Sequence, residues 1–428
     1  MKTRVARRPG PHNRISLARR WAWLICGGIV LCACASPAPA PTSEPTAWLP
    51  MSINTQTTLE VTGVPTTSAV PGTLPPTLAP IPPITDSDWM RGPADAPITL
   101  LLYSDFDCQA CADLALVLND LQALHPDDIR LVFRDFPLLT IREKSALAAQ
   151  AVASAAEQGR LWEMHDLLFS RYAEWSVLTL DEFSAWLLRV APDAGVDAAL
   201  LSGDLRSRRF EPFVADAYNQ AVAAGIPGAP FLFFNRDLFM LPQTLENLEA
   251  NVSLALLAER QFDSPPEFSL DLTADYFARI RLNLGEVILD LYEDSAPQAV
   301  NSFVFLAQNG WYDDTPAFQV VRGQYVEFGD PTGTGLGWPG YSYGLESSPA
   351  ITFDQPGVVG MSAEDPSTNG SRFFIALSSL PMYDGERTVL GQVVSGLDLL
   401  DAVTARDALT DLLVDPQAVI LDITIEAR

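Results

Sequence analysis

The chain has 428 residues, 48% of them hydrophobic, and a formal net charge of -26 from 53 acidic and 27 basic residues. That length allows two or three domains with sizeable cores. The acidic balance excludes capture of nucleic acid or anionic headgroups by a basic patch, because phosphate would be repelled. Five cysteines, three of them at Cys26, Cys32 and Cys34, leave too few in the body of the chain for a disulfide scaffold.

Residues 1–20 carry Lys2, Arg4, Arg7, Arg8, Arg14, Arg19 and Arg20 and no acid, and the apolar run from Trp21 to Ala33 follows. A helix of that length rises roughly 20 Å, too short for a hydrocarbon core of about 30 Å. The pattern predicts an export signal. Its end, Leu31-Cys32-Ala33-Cys34-Ala35, resembles a bacterial lipobox. The resemblance implies a lipoprotein signal peptide over 1–34, with Cys34 acylated and the membrane reached through that anchor. Residues 35–88 are rich in Pro and Thr as far as Thr85, with Glu44 and Glu60 the only charges up to that point. Such composition keeps no hydrophobic period and predicts a disordered, partly polyproline tether.

A first domain is expected over 89–262. The apolar run Ile98–Tyr103 suits a buried strand. Ser104-Asp105-Phe106-Asp107-Cys108-Gln109-Ala110-Cys111 comes next, and then Leu114, Leu118, Leu121 and Leu124 recur at helical spacing. Cys108 therefore falls at a helix N-terminus, where free amides and the helix dipole favour a thiolate. Such a thiolate attacks a disulfide, and Cys111, one turn on, resolves the mixed disulfide. Asp105, Asp107 and Asp113 oppose the dipole by raising the thiol pKa, which leaves the direction of electron flow open. Two other uses of the pair fit the chain less well. Zinc needs four ligands, and the chain offers beside the pair only His125 and His165 after the leader. A purely structural bridge across so short a loop adds little stability.

The surrounding sequence resembles the DsbA-like branch of the thioredoxin superfamily. The match runs through Phe133-Arg134-Asp135-Phe136-Pro137, Glu157–Asp166 and Gly225-Ile226-Pro227-Gly228-Ala229-Pro230-Phe231. It implies an α/β thioredoxin fold with a helical insertion over about 143–225. It also implies that Pro230 is a cis proline facing the cysteine pair; an X-Pro step is the one place where a cis bond costs little.

A second domain is expected over 263–428. Ala278–Tyr292 alternates apolar and polar residues around Gly285 and predicts a hairpin. Ser295-Ala296-Pro297 predicts a helix start with a capping hydroxyl, and Gly310 its end. The remainder, short strands and Gly/Pro turns, suits a barrel or sandwich. The order of segments resembles the cyclophilins: Gly285–Tyr292, Ala296-Pro297 with Asn301-Ser302-Phe303, Gly329–Gly335, Gly357-Val358-Val359-Gly360-Met361, Asn369–Ile375, Asp384-Gly385 and Leu390-Gly391-Gln392-Val393. The resemblance implies an all-β eight-stranded barrel with two capping helices and peptidyl-prolyl isomerisation. That activity lowers a resonance barrier of about 18–20 kcal/mol by holding the twisted amide in an apolar groove.

The family arginine that donates to the prolyl nitrogen falls on Gln319, and the glutamine that supports it on Glu327. The glutamine of the Gly-Ser-Gln-Phe-Phe stretch is Arg372, the pocket-edge histidine is Arg387, and its neighbouring tryptophan is Met382. Met361 and Phe374 are expected to line the proline pocket, and Arg372 to reach it and pair with Glu327. The combined reading is an extracytoplasmic, lipid-anchored folding factor needing no cofactor and no metal. Its partners would be exported clients with cysteines or X-Pro bonds and a redox partner. Two other readings stay open. In one, the second domain only holds proline-containing peptides; in the other, the chain is an envelope scaffold with Cys108 and Cys111 merely paired.

Overall fold

The computed structural model describes residues 81–365 and 367–428, so the leader, Cys34 and most of the tether lie outside the described residues. In chain order the first half comprises β1 (Trp89–Arg91), β2 (Ile98–Ser104), α1 (Gln109–Leu124), β3 (Ile129–Asp135), α2 (Ser145–Glu157), α3 (Leu161–Ser170), α4 (Tyr172–Trp175), α5 (Leu180–Val190), α6 (Ala198–Ser207), α7 (Glu211–Ala223), β4 (Phe231–Phe234), β5 (Asp237–Leu238) and α8 (Leu245–Leu257). The strands order β1-β3-β2-β4-β5, with β2 and β3 parallel and the other pairs antiparallel. Central β2 is buried along its whole length, which is why its sequence runs apolar without alternation. On α1, Leu114, Leu118 and Leu121 face the core, whereas Leu124, at the last position of the helix, is exposed. The helical insertion α2–α7 shares one core with β2, β3 and α1, in which Trp175 stacks on Phe183 and Phe183 on Trp186.

The second half comprises β6 (Tyr276–Leu282), β7 (Gly285–Leu291), α9 (Pro297–Gln308), β8 (Thr315–Pro316), β9 (Gln319–Val321), β10 (Tyr325–Phe328), β11 (Val358–Met361), β12 (Phe373–Ala376), β13 (Val389–Ser395), α10 (Asp398–Asp401) and β14 (Val419–Ala427). The strands order β8-β14-β6-β7-β13-β11-β12-β10-β9. Nine strands stand where the resemblance implied eight, because the segment 315–321 is interrupted. Its first part pairs with β14, Ala317 N donates to Ala418 O (2.9 Å), Phe318 N donates to Glu327 O (3.1 Å), and its last part pairs with β10. Both edges of the sheet therefore lie on one continuous segment. Of the two expected capping helices, α9 is full length and α10 is a single turn. Leu400 is its buried position, and Val403 is buried just beyond its end, before Thr404-Ala405-Arg406-Asp407 ends the apolar pattern. The expected hydroxyl cap of α9 is replaced as well: Ala296 is the N-cap, and the Glu346 carboxylate accepts from Gln298 N (3.0 Å) and Ala299 N (2.8 Å). A carboxylate there also complements the helix dipole.

Two expected boundaries move. Residues 81–88, assigned to the tether, are held on the first sheet. Ile81 and Ile84 pack against the cluster of Leu101, Tyr103, Val132 and Phe233. The Arg134 guanidinium donates to Pro82 O and Pro83 O (3.0 Å each) and forms a two-pronged ion pair with Asp88 at 2.6 and 3.0 Å. At the other end, Leu257 already belongs to the core of the second sheet. Phe262 N donates to Pro339 O (2.8 Å), and its ring meets Phe305 and Trp311. The expected break at 262/263 thus falls inside packed structure, because these side chains bury apolar surface on α9 and the barrel.

Arg134→Ala is expected to release 81–88 without unfolding the sheet, since the replaced groups hold only that segment and the Tyr103 hydroxyl. Limited proteolysis should then cut between 81 and 88 in the variant and not in the parent protein; equal resistance would refute the clip.

Candidate functional site

The first candidate site lies where β2 ends. Residues 105–107 turn the chain so that Cys108 becomes the N-cap of α1 with extended backbone angles (φ -137°, ψ 117°). Its sulfur accepts from Cys111 N at 3.2 Å, taking up one of the free amides of the helix start. Cys108 and Cys111 are joined as a disulfide, with Cα atoms 5.2 Å apart. The Ala229–Pro230 bond is cis, and the carbonyl oxygen of Ala229 lies 3.7 Å from the Cys108 sulfur. The cysteine pair and the Ala229–Pro230 step, far apart in sequence, are thereby brought to one spot.

The nearby carboxylates are not solvated. Asp105 is fully buried and accepts from Asp107 N and Leu138 N, both at 3.0 Å. Asp107 accepts from Lys144 N at 3.3 Å. Burial pushes both carboxyls above the usual range, against the pull of Ser145 and Leu138 on Asp105 and of Lys144 on Asp107. Asp113 instead sits on the surface and accepts from Gln109. A further acid was not singled out from the sequence. Asp135 lies opposite Ser104 in the β2–β3 register, is 5% exposed, and neither of its oxygens has a hydrogen-bond partner among the described residues. Burial, then the charge of Asp105, raises its pKa well above that of an ordinary carboxyl. The signal that could have found it is the inward parity of Leu131, Phe133 and Asp135 along β3.

The second candidate site is on the outer face of the second sheet. Glu327 stands opposite Gln319 on β9 and opposite Phe374 on β12, which in turn stands opposite Gly360 on β11. Residues in register across a sheet share a face, so Gln319, Glu327 and Phe374 form one row. Phe374 is 3% exposed, covered by Phe353 (5.4 Å between ring centroids), Tyr383 (5.3 Å) and Tyr325 (5.8 Å). Gly360 makes room for it: a Cβ there would come 2.5 Å from Phe374 Cζ and 2.7 Å from the Phe353 ring.

Met361 is not part of this row. It stands opposite Phe373, not Phe374, and lies fully buried in the barrel core. The expectation that it lines the pocket is corrected by strand alternation.

The polar residues cluster around Glu327, which is 9% exposed and accepts from the Ser362 hydroxyl. Burial raises its pKa, opposed by Ser362 and by the charges of Arg372 and Arg387. Arg372 makes no ion pair with Glu327 within 4.0 Å, contrary to expectation. Its guanidinium donates to Gly335 O, on a loop that Asp330 organises by accepting from Thr332 N (2.8 Å) and Gly337 N (3.0 Å). That carbonyl competes successfully for the guanidinium. The Gln319 side-chain oxygen accepts from Ala408 N at 3.2 Å, and among the described residues its Nε2 has no acceptor. Arg387 stacks over Tyr383 at 5.8 Å.

The raised Asp135 pKa has a definite thermodynamic sign. A carboxyl whose folded pKa exceeds its unfolded value of about 4 stabilises the fold only at low pH, and this is lost as pH rises through the folded value. Asp135→Asn should therefore raise Tm more at pH 8 than at pH 5. Thermal melts with a pH-independent difference would refute this burial.

Comparison with known proteins agrees with both halves. Residues 85–253 match a thioredoxin family model, and residues 277–425 match that of the cyclophilin type peptidyl-prolyl cis-trans isomerases. The chain is 36% identical over 121 residues to peptidyl-prolyl cis-trans isomerase-like 1 of Gibberella zeae, covering 28% of this chain and 75% of that one. It is 36% identical over 139 residues to a peptidyl-prolyl cis-trans isomerase of Helicobacter pylori, covering 32% of this chain and 85% of the relative. A solved Cryptosporidium parvum cyclophilin type peptidyl-prolyl cis-trans isomerase is 29% identical, covering 36% of this chain and 99% of its own, with a TM-score of 0.33. Through residues 277–425, carried beside a thioredoxin-like domain, this chain belongs to the cyclophilin type peptidyl-prolyl cis-trans isomerase family.

Proposed function

We propose that the chain is an extracytoplasmic folding factor that exchanges disulfides through Cys108 and Cys111 and isomerises X-Pro bonds at the row Gln319–Glu327–Phe374. The observation that carries it is the meeting of the cysteine pair, a helix N-terminus and cis Pro230 in a chain that also bears the isomerase-family domain. In this reading a client thiolate attacks the Cys108 sulfur and displaces Cys111 as thiolate, and a second client thiolate then displaces Cys108, leaving the client disulfide and the reduced pair. The reverse sequence opens a client disulfide, and Pro230 shapes the surface that receives the client, as in a DsbA-like oxidoreductase. Disulfide exchange and prolyl isomerisation are both slow folding steps, which gives their fusion a physical logic. Cys34 would carry a lipid anchor, exported proteins with cysteines or X-Pro bonds would be the clients, and a separate redox partner would exchange electrons with the pair. Among the described residues no helix is long and apolar enough to cross a membrane.

A second reading has its own support. Phe374 is covered by three aromatic rings and Gln319 is partly engaged by Ala408. Both favour a domain that binds proline-containing peptides and turns them over weakly. Neutral hydrogen bonds contribute about 0.5–1.5 kcal/mol against about 1.5–3 for charged ones. Gln319→Arg should therefore raise kcat/KM for an Ala-Pro peptide about tenfold, given about 1.4 kcal/mol per decade. An unchanged rate in a folded variant would show that Gln319 does not face the reacting amide. In an insulin-reduction assay the full chain should be active and Cys108→Ser inactive; an inactive parent would refute the redox half.

A further inference from the structure

Arg372 and Arg387 lie beside the row Gln319–Glu327–Phe374 without being members of it. Arg372 directly precedes β12, two residues from Phe374 and on the same side by alternation. Arg387 stacks on Tyr383, whose ring covers Phe374. Both guanidiniums are close enough to Glu327 for their charges to act on its carboxyl. Among the described residues neither has a carboxylate within 4.0 Å, although many arginines of this acidic chain do, Arg134, Arg279 and Arg281 among them. The arginine that would sit at the centre of the groove is Gln319, so the positive charge has moved from the reacting amide to the rim. Glu327, buried on the row and holding the Ser362 hydroxyl, can offset only one of these two charges.

We propose that Arg372 and Arg387 make the groove selective for X-Pro segments bearing an acidic side chain next to the proline. This rests on the groove being the peptide site of the isomerase reading. The rim charges attract a client carboxylate while the rest of the surface, at a net charge of -26 for the chain, repels it. Selectivity therefore arises at the groove alone. A lysine beside the proline meets like charge there, so discrimination comes from both signs.

The test uses the full chain and three tetrapeptides, Ala-Glu-Pro-Phe, Ala-Ala-Pro-Phe and Ala-Lys-Pro-Phe, with isomerisation followed by exchange NMR without a coupling protease. The expected kcat/KM order is Glu, Ala, Lys, with a span of about three- to tenfold at low salt that shrinks at high salt as the charges are screened. The Glu-to-Lys ratio should fall towards one in Arg372→Gln/Arg387→Gln. If all three peptides turn over equally in the parent chain, the charge preference is overturned and the isomerase reading stands. If none turns over, the isomerase reading fails and the preference is read from chemical-shift titrations. Tighter binding of the Glu-Pro peptide then upholds it, and equal binding or none overturns it.

Discussion

The second domain depends on one alternation. Along β12, Phe373 and Ile375 turn into the barrel, where Phe373 meets Phe303, Tyr312 and Phe328. Phe374 and Ala376 turn outward onto a separate cluster. A slip of one residue would exchange the two sets, so the filled interior and the outer row are two products of one register. The outer row inherits its order from the inner one: Glu327 and Gln319 stand beside Phe374 because β9, β10 and β12 are locked by what lies beneath them.

The first domain solves a different problem at the end of β2. A helix start leaves amides without partners, and here a cysteine sulfur takes one of them. The turn that places it is held by Asp105 and Asp107, whose oxygens are spent on backbone amides. These acids act first as structural groups. Cys111 is fully buried and Cys108 nearly so, with the Ala229 carbonyl beside the Cys108 sulfur.

What could be read from the chain was what local pattern determines. The buried strand Ile98–Ser104, the helix start at Cys108 and the hairpin around Gly285 follow from periodicity over a few residues. Motif order also placed Gln319, Glu327 and Phe374 together. Met361 defeated the same reasoning, because its side depends on which β12 residue it faces, and β11 carries a register shift beside Gly360 on its other edge. Glu346 capping α9, Arg134 binding Pro82 and Pro83, and the solitude of Asp135 are all consequences of chain segments meeting across long separations. No window of sequence contains them.

The Arg134 clip also has a mechanical meaning. β1 is a three-residue edge strand whose pairing begins at Trp89 with Phe133. A pull on the chain from before residue 81 would, without the clip, open that ladder one bond at a time from its exposed end. With the clip, load reaches Pro82, Pro83 and Asp88 first, and passes through one side chain into β3, which is bonded along its length to β2. Residues 81–88 thus divert a load from the β1 ladder into the sheet that carries the cysteine pair.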